Sequence, residues 1–324
     1  MTTIRTEGKV NDNTTLIDIG LFGAKGTGAV YLVQAGKSCL IDCGTKAEAP
    51  RIAKVLKKLD AFPPDIVLIT HAHYDHCQGV PVLRRMAGEM QKDIQVIASE
   101  RSLPLLEDQS FNRAFYEDRE YENIHDVNTV REGDKIDLDG LKLRVIDVPG
   151  HCKDHIAALD EKNKNLFVGD AIGYNVGDNA TLPAFMPPFW HEDAFRASIE
   201  KLRTVDYETL CLGHFGYVYG DEAKDILDEA ISTNDLWWGV LASADESGKL
   251  DDISYLVEEI VRAAQVEFPH IELVSPKLKY GLKMMNAWRR LTRRAQLTAA
   301  EFLLKEVMTW LVTGYKMTTQ TRAP

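Results

Sequence analysis

No Cys-x-x-Cys pair occurs in these 324 residues, and the five cysteines (Cys39, Cys43, Cys77, Cys152 and Cys211) are an odd number. That pattern fits a reduced, cytosolic chain better than a disulfide framework. An excess of basic charge is also lacking: 38 Lys and Arg stand against 49 Asp and Glu, a net charge of -11. Neutralising a phosphate backbone needs a basic surface, so a general nucleic-acid binder is excluded. The opening "MTTIRTEGKVNDNTT" has no apolar core of the kind a signal peptide needs. Long apolar runs are missing as well. The most apolar late stretch, "AAEFLLKEVMTWLVTG" (299–314), is interrupted by Glu301, Lys305 and Glu306 and reads as an amphipathic helix, not a membrane span. The expected compartment is the cytoplasm, with neither membrane nor nucleic acid as a partner.

What is present is an alternation of strand and helix signals. "TLIDIGLFG", "GAVYLVQAG" and "KSCLIDCG" are short apolar runs broken by glycine, as hairpins require. "GAKGTG" (23–28) lacks the Gly-Lys-Ser/Thr ending of a phosphate loop and reads as a glycine-rich turn. "EAPRIAKVLKKLD" has helical spacing, "PDIVLIT" is a buried strand, "GVPVLRRMAGEM" a helix and "DIQVIASE" a strand. Segment 104–125 is expected to be helical, with no readable role. Strands resume over 134–151 around an Asp139-Gly140 turn, continue in "HIAALD" and "NLFVGD", and end in "ETLCLGHF" after a helix over 191–205. Beyond about residue 220 strand patterns vanish, and helices are expected near 221–245, 251–266, 275–296 and 298–315. The fold class is therefore α/β, with a strand-rich body over 1–220 and a helical cap or dimerisation region over 221–324.

Nine histidines occur in the whole chain, yet "THAHYDHCQG" (70–79) holds three of them and an aspartate within six residues, immediately after a strand. His151, Asp170 and His214 also follow strand signals, in "DVPGH", "LFVGD" and "CLGH". Strand ends on a rigid sheet allow a site to be assembled from distant parts of a chain. Imidazole and carboxylate together suit zinc, iron or manganese. Six or seven such ligands exceed one tetrahedral ion and suit two ions with open positions. His125, His191 and His270, isolated from this set, read as ordinary surface or structural residues. Cys77 and Cys152 read as small buried filler.

"HAHYDH", the His151 of "PGH", the Asp170 of "GD" and the His214 of "GH", in this order, resemble the metallo-β-lactamase-fold hydrolases over about residues 14–216. The resemblance implies an αββα sandwich with the site at one edge. It implies that His71, His73 and His151 hold one metal, that Asp75, His76 and His214 hold the other, and that Asp170 bridges them. Asp42, in "IDCG", matches the family's early Asp-x-Gly and is expected to orient ligands from outside, as are Asp154 and His155. Two divalent ions per chain are expected, zinc first, with iron or manganese as alternatives. The reaction implied is attack of a metal-bridging hydroxide on a thioester, ester or lactone, with Asp75 both a ligand and a positioner of water. "ITHAHYDHC…VIASER" and "GHCKDHIAALD…LFVGDAIG" are similar to the glyoxalase-II-like and quinolone-signal response thioesterase branch, which favours an acyl thioester. A phosphodiesterase with the same metals is the alternative enzyme, and a weakly active signalling or interaction protein of the same fold is the alternative from another class.

Three further expectations concern specificity. Phe185, Phe189 and Trp190, in the rigid "TLPAFMPPFWHED", are candidates to wall an acyl pocket for a small-molecule acyl substrate. Tyr174 is placed to donate to a substrate carbonyl. "SPKLKYGLKMMNAWRRLTRRAQ" (275–296) has seven basic residues and no acidic one. Its Lys279, Lys283, Arg289 and Arg290 could meet an anionic substrate, although a solvated face or a homodimer contact through the C-terminal helices is the favoured reading.

Overall fold

The computed structural model describes residues 5–23, 25–175, 181–267 and 299–321. The basic segment 275–296, with Lys279, Lys283, Arg289 and Arg290, and also His270, lie outside the described residues.

A seven-stranded sheet runs in chain order: β1 (Gly8–Lys9), β2 (Thr14–Asp18), β3 (Ala29–Gln34), β4 (Ser38–Ile41), β5 (Ile66–Ile69), β6 (Gln95–Ser99) and β7 (Val127–Val130). The first four strands pair antiparallel and the last four parallel. Parallel neighbours need crossovers, which α1 (Ala49–Lys58), the single turn α2 (Tyr74–Cys77) and α3 (Val80–Gly88) help to supply. The second sheet has the order β15-β14-β11-β10-β9-β8. Its strands are β8 (Lys135–Asp137), β9 (Lys142–Asp147), β10 (Ile156–Asp160), β11 (Asn165–Gly169), β14 (Thr209–Leu212) and β15 (Tyr217–Tyr219). Between β11 and β14 lie a small ribbon, β12 (Tyr174–Asn175) with β13 (Thr181–Leu182), and the helix α5 (Glu192–Thr204).

Side-chain alternation decides the layers. Ile66 and Leu68 of β5 face the second sheet, whose Val145, Ile156 and Phe167 meet them in the central core. Val67 and Ile69 of the same strand face outward onto Ile52 and Leu56 of α1 and Leu83 of α3. On the far side, Leu166 and Val168 of β11 pack on Phe195, Ile199 and Leu202 of α5. The same outer cluster takes in Ile226, Leu227 and Trp237 of α6 (Glu222–Glu246), Leu256 and Ile260 of α7 (Ile253–Glu267), and Met308 and Leu311 of α8 (Ala299–Thr321). The result is the expected helix–sheet–sheet–helix sandwich, with C-terminal helices packed on the second sheet's side. No helix among the described residues is long and apolar enough to cross a membrane.

The expected helix over 104–125 is the main departure. A short α4 (Leu103–Glu107) stops at Asp108, whose backbone is extended and whose carboxylate accepts the Ser110 N–H at 3.0 Å, opening a separate 3-10 stretch, Gln109–Ala114. A side chain that caps a new turn cannot continue the previous helix, so the segment folds as two turns followed by loop. β7 is a second departure: its residues are half-buried or exposed without alternation and give no strand period.

Candidate metal centre

β4 and β5 run parallel in one sheet and β11 and β14 run parallel in the other, so the strand ends place Asp42, His71, Asp170 and His214 at one edge of the sandwich. The approach there is close. A Cβ on Gly169 would lie 2.7 Å from Thr70 Oγ1 and 2.9 Å from His155 Nε2, and one on Gly213 would lie 2.7 Å from Asp170 Oδ1. Only glycine lets the two sheets bring their polar ends this near.

Three ring nitrogens converge on one side. His73 Nδ1 stands 3.1 Å from His71 Nε2 and 2.9 Å from His151 Nε2. On the other side His76 Nε2 and His214 Nε2 each stand 3.3 Å from Asp170 Oδ2, and Asp75 Oδ2 is 3.3 Å from His214 Nε2. The same Asp170 oxygen lies 3.9 Å from His71 Nε2 and 3.8 Å from His151 Nε2, between the two groups.

The outward-facing nitrogens are tied down. Thr70 Oγ1 donates to Asp42 Oδ2 at 2.9 Å, so it accepts from His71 Nδ1 at 3.0 Å. His76 Nδ1 donates to the same Asp42 oxygen at 2.8 Å, His151 Nδ1 to the Ala184 carbonyl at 2.7 Å and His214 Nδ1 to the Thr27 carbonyl at 3.1 Å. With those nitrogens tied down outside, all four rings turn Nε2 inward, the orientation a metal ligand needs. His73 is reversed, presenting Nδ1 inward and leaving a buried Nε2 without a hydrogen-bond partner among the described residues. Asp170 Oδ1 is also buried and unpartnered there, while the buried His76 Nε2 and His214 Nε2 face carboxylate oxygens of the centre at 3.3 Å. Buried polar atoms are normally satisfied, and imidazole nitrogens and carboxylate oxygens converging on one buried space suit a cation. The residues therefore fit metal ions: His71, His73 and His151 could hold one, His76, His214 and Asp75 another, with Asp170 reaching both.

Burial, then the neighbouring imidazoles, holds His71 and His73 well below the usual histidine range, and burial lowers His151 too. On the other side burial works in the same downward direction, but carboxylates overcome it. Asp170, Asp42 and Asp75 push His76 well above its ordinary value, and Asp170 and Asp75 raise His214 to about 10. Asp170 itself is held well below the carboxylate range: burial would raise it, and His214 and His76 outweigh that.

The residues expected to orient ligands are all in contact with the centre. Besides Asp42, Asp154 Oδ2 accepts the Ala72 N–H at 3.0 Å and the Ser102 hydroxyl at 2.8 Å. His155 stacks on His71 at 4.6 Å, and its Nε2 accepts the Asp170 N–H at 3.1 Å. Tyr174 stands with its hydroxyl 3.4 Å from His151 Nδ1 and its ring 4.6 Å from that of His214. The three aromatics of 181–193 divide. Phe185 and Trp190 are buried in the helix-side core, whereas Phe189 is half-buried, 5.6 Å from Phe111, whose ring lies 6.1 Å from His73. Prolines and aromatics close in sequence gave no sign of which ring faces the helices. Cys77 and Cys152 are buried; Cys152 also lies within ligand reach of His71 and His151. His191 caps α5, accepting the Ala194 N–H at 3.3 Å, and His125 is exposed. Thr70, Thr27 and Ala184 were not anticipated: two of them act through backbone carbonyls, which leave no signature in a sequence.

The sequence profile of the Metallo-beta-lactamase superfamily matches residues 23–214, a span containing every side chain of this centre. The chain belongs to that superfamily. Among curated proteins it is 32% identical over 154 residues to the lactamase-like protein adaB of Aspergillus niger, covering 45% of this chain and 40% of that protein. It is 29% identical over 188 residues to a hydroxyacylglutathione hydrolase of Ruegeria pomeroyi, covering 57% and 60% respectively. The matches thus span between 40% and 60% of these relatives' lengths. Among solved structures, an archaeal superfamily protein from Sulfolobus tokodaii aligns over 94% of this chain and 98% of its own with a TM-score of 0.57 at 17% identity, a likeness of fold.

Proposed function

We propose that this superfamily member is a dinuclear metal-dependent hydrolase that cleaves an acyl thioester, ester or lactone, with the thioester preferred. The observation that carries the reading is the position of Asp170 Oδ2, 3.3 Å from two ring nitrogens of one group and 3.8 and 3.9 Å from two of the other. Two divalent ions, zinc first among the candidates, would supply a hydroxide nucleophile at neutral pH by lowering the pKa of a shared water from about 15.7 toward about 7. The chain's own part is to place and polarise. Asp75, the least enclosed of the carboxylates, orients the attacking water from beside His214. Burial, then Asp170, keeps the Tyr174 phenol protonated well above neutrality, so it serves as a donor to the developing oxyanion and not as a base. Phe189, with Phe111 and Phe115 beside His73, lines the approach for an apolar acyl group. The hydroxyacylglutathione hydrolases among the relatives support the thioester, and five free cysteines, all buried, support a cytoplasmic setting.

The test is hydrolysis by zinc-loaded protein of an acyl-CoA, a glutathione thioester, a lactone and bis-p-nitrophenyl phosphate. Thioester turnover that disappears with a chelator and returns with zinc supports the reading. Exclusive cleavage of the phosphodiester would replace it with a phosphodiesterase, and no turnover of any of the four would favour an interaction protein.

A further inference from the structure

The peptide units between His71 and Tyr74 are held by side chains from elsewhere in the chain. Asp154 takes the Ala72 N–H. The Ala72 carbonyl receives Gln109 Nε2 at 3.2 Å and Asn112 Nδ2 at 3.4 Å, and the Tyr74 N–H donates to Asn112 Oδ1 at 3.1 Å. The two amides also bind each other, Asn112 Nδ2 to Gln109 Oε1 at 3.0 Å, and Gln109 Nε2 reaches the Leu105 carbonyl at 2.8 Å. Gln78, just after the ligand run, donates to Gln109 Oε1 at 3.0 Å. Gln109 and Asn112 have no exposed surface. Burying two amides is costly unless every donor and acceptor is paired, and here the amide hydrogens all find acceptors.

We propose that Gln109 and Asn112 are positioning residues that fix the His71-to-His76 turn in its metal-binding geometry, acting through the Ala72 carbonyl and the Tyr74 N–H. The proposal rests on the reading of this centre as a metal site. His71 and His73 flank Ala72, so tilting that peptide moves both rings relative to His151. Within this run of four candidate ligands in six residues, the single turn α2 orders only Tyr74–Cys77, and the amide pair holds the peptides that lead into it. It also gives segment 104–125 a role.

The experiment is a zinc competition titration against a chromophoric chelator, with melting of the metal-free protein measured alongside. Asn112→Asp keeps the acceptor for Tyr74 but turns an oxygen toward the Ala72 carbonyl; Gln109→Met removes the other donor. Leu106→Ala, a fully buried deletion in the same segment whose side chain makes none of these contacts, is the control for lost stability. Zinc affinity is expected to fall about tenfold to hundredfold in Asn112→Asp or Gln109→Met and to stay within about twofold in Leu106→Ala, even where that control melts at a lower temperature. Unchanged affinity in both amide variants, or an equal loss in Leu106→Ala, overturns the proposal. Wild-type protein that binds no zinc refutes the metal reading itself, a separate outcome.

Discussion

His71, His73 and His151 face one another in a fully buried cluster, whereas His76 and His214 face Asp42, Asp75 and Asp170. The residue types are the same, yet their protonation runs in opposite directions. Burial, reinforced by neighbouring imidazoles, keeps the first three neutral, so that group is ready to accept a cation at neutral pH. In the metal-free chain the second group holds protons where the cation would sit, because its carboxylates favour positive charge more than burial opposes it. The two halves should therefore be loaded by different chemistry, one by simple occupation and the other by exchange of protons for metal.

The severest test removes the oxygen they share. Asp170→Ala should leave no more than one tightly held ion per chain by elemental analysis and lower hydrolysis about 1000-fold or more, the order expected when metal-derived charge stabilisation is lost. Full metal content in that variant would show that Asp170 does not join the halves.

Acidity separates them next. Loading the second half displaces protons from His76 and His214, so its affinity should rise with pH through neutrality until the region of about 10 where His214 loses its proton unaided. With about two protons released, the affinity changes about 100-fold per pH unit between pH 6 and 8. The first half, its imidazoles already neutral, should hardly respond over that window. Calorimetry in buffers of different ionisation enthalpy counts the protons, and equal pH slopes for both ions would erase the distinction.

Asp42→Asn probes the second half from outside. The amide keeps an acceptor but loses the charge that holds His76 Nδ1–H and takes both Thr70 donors. Affinity for the second ion should fall about tenfold to hundredfold, with a smaller change in the first through Thr70 and His71.

Why the side chains gathered at the centre were legible and their supports less so follows from geometry. His71, His73, Asp75, His76, His151, Asp170 and His214 each follow a strand pattern, and a strand end fixes where such a side chain can be. The strands themselves are legible as short apolar runs, as Ile66–Ile69 is, both of whose faces are buried. Gln109 and Asn112 carry no period, and their partner is the Ala72 carbonyl, 37 and 40 residues away. Phe185 and Trp190 looked like pocket walls because nothing local to 181–193 predicts that α6 and α8 share their core. Helix docking depends on distant surfaces, so it becomes visible only in three dimensions.

The smallest expected effect lies at the edge of the first half, where the helical region reaches the centre. Phe115 stands edge-on to His73 at 5.0 Å and packs against Trp310 of α8 at 5.7 Å, and Trp310 Nε1 donates to the Phe115 carbonyl at 3.0 Å. The indole thus fixes the backbone of the residue that shields His73, which neither the ligands nor the second half can do. Phe115→Ala should leave zinc content unchanged while reducing the preference for a long over a short acyl thioester about threefold to tenfold, the value of one or two buried methylenes. Trp310→Phe, which keeps a ring but removes the donor, should shift the same ratio by no more than about threefold. A ratio of kcat/KM values for octanoyl and acetyl thioesters measures both. If neither variant moves it, the helices beyond residue 220 support the sheet but do not select the substrate.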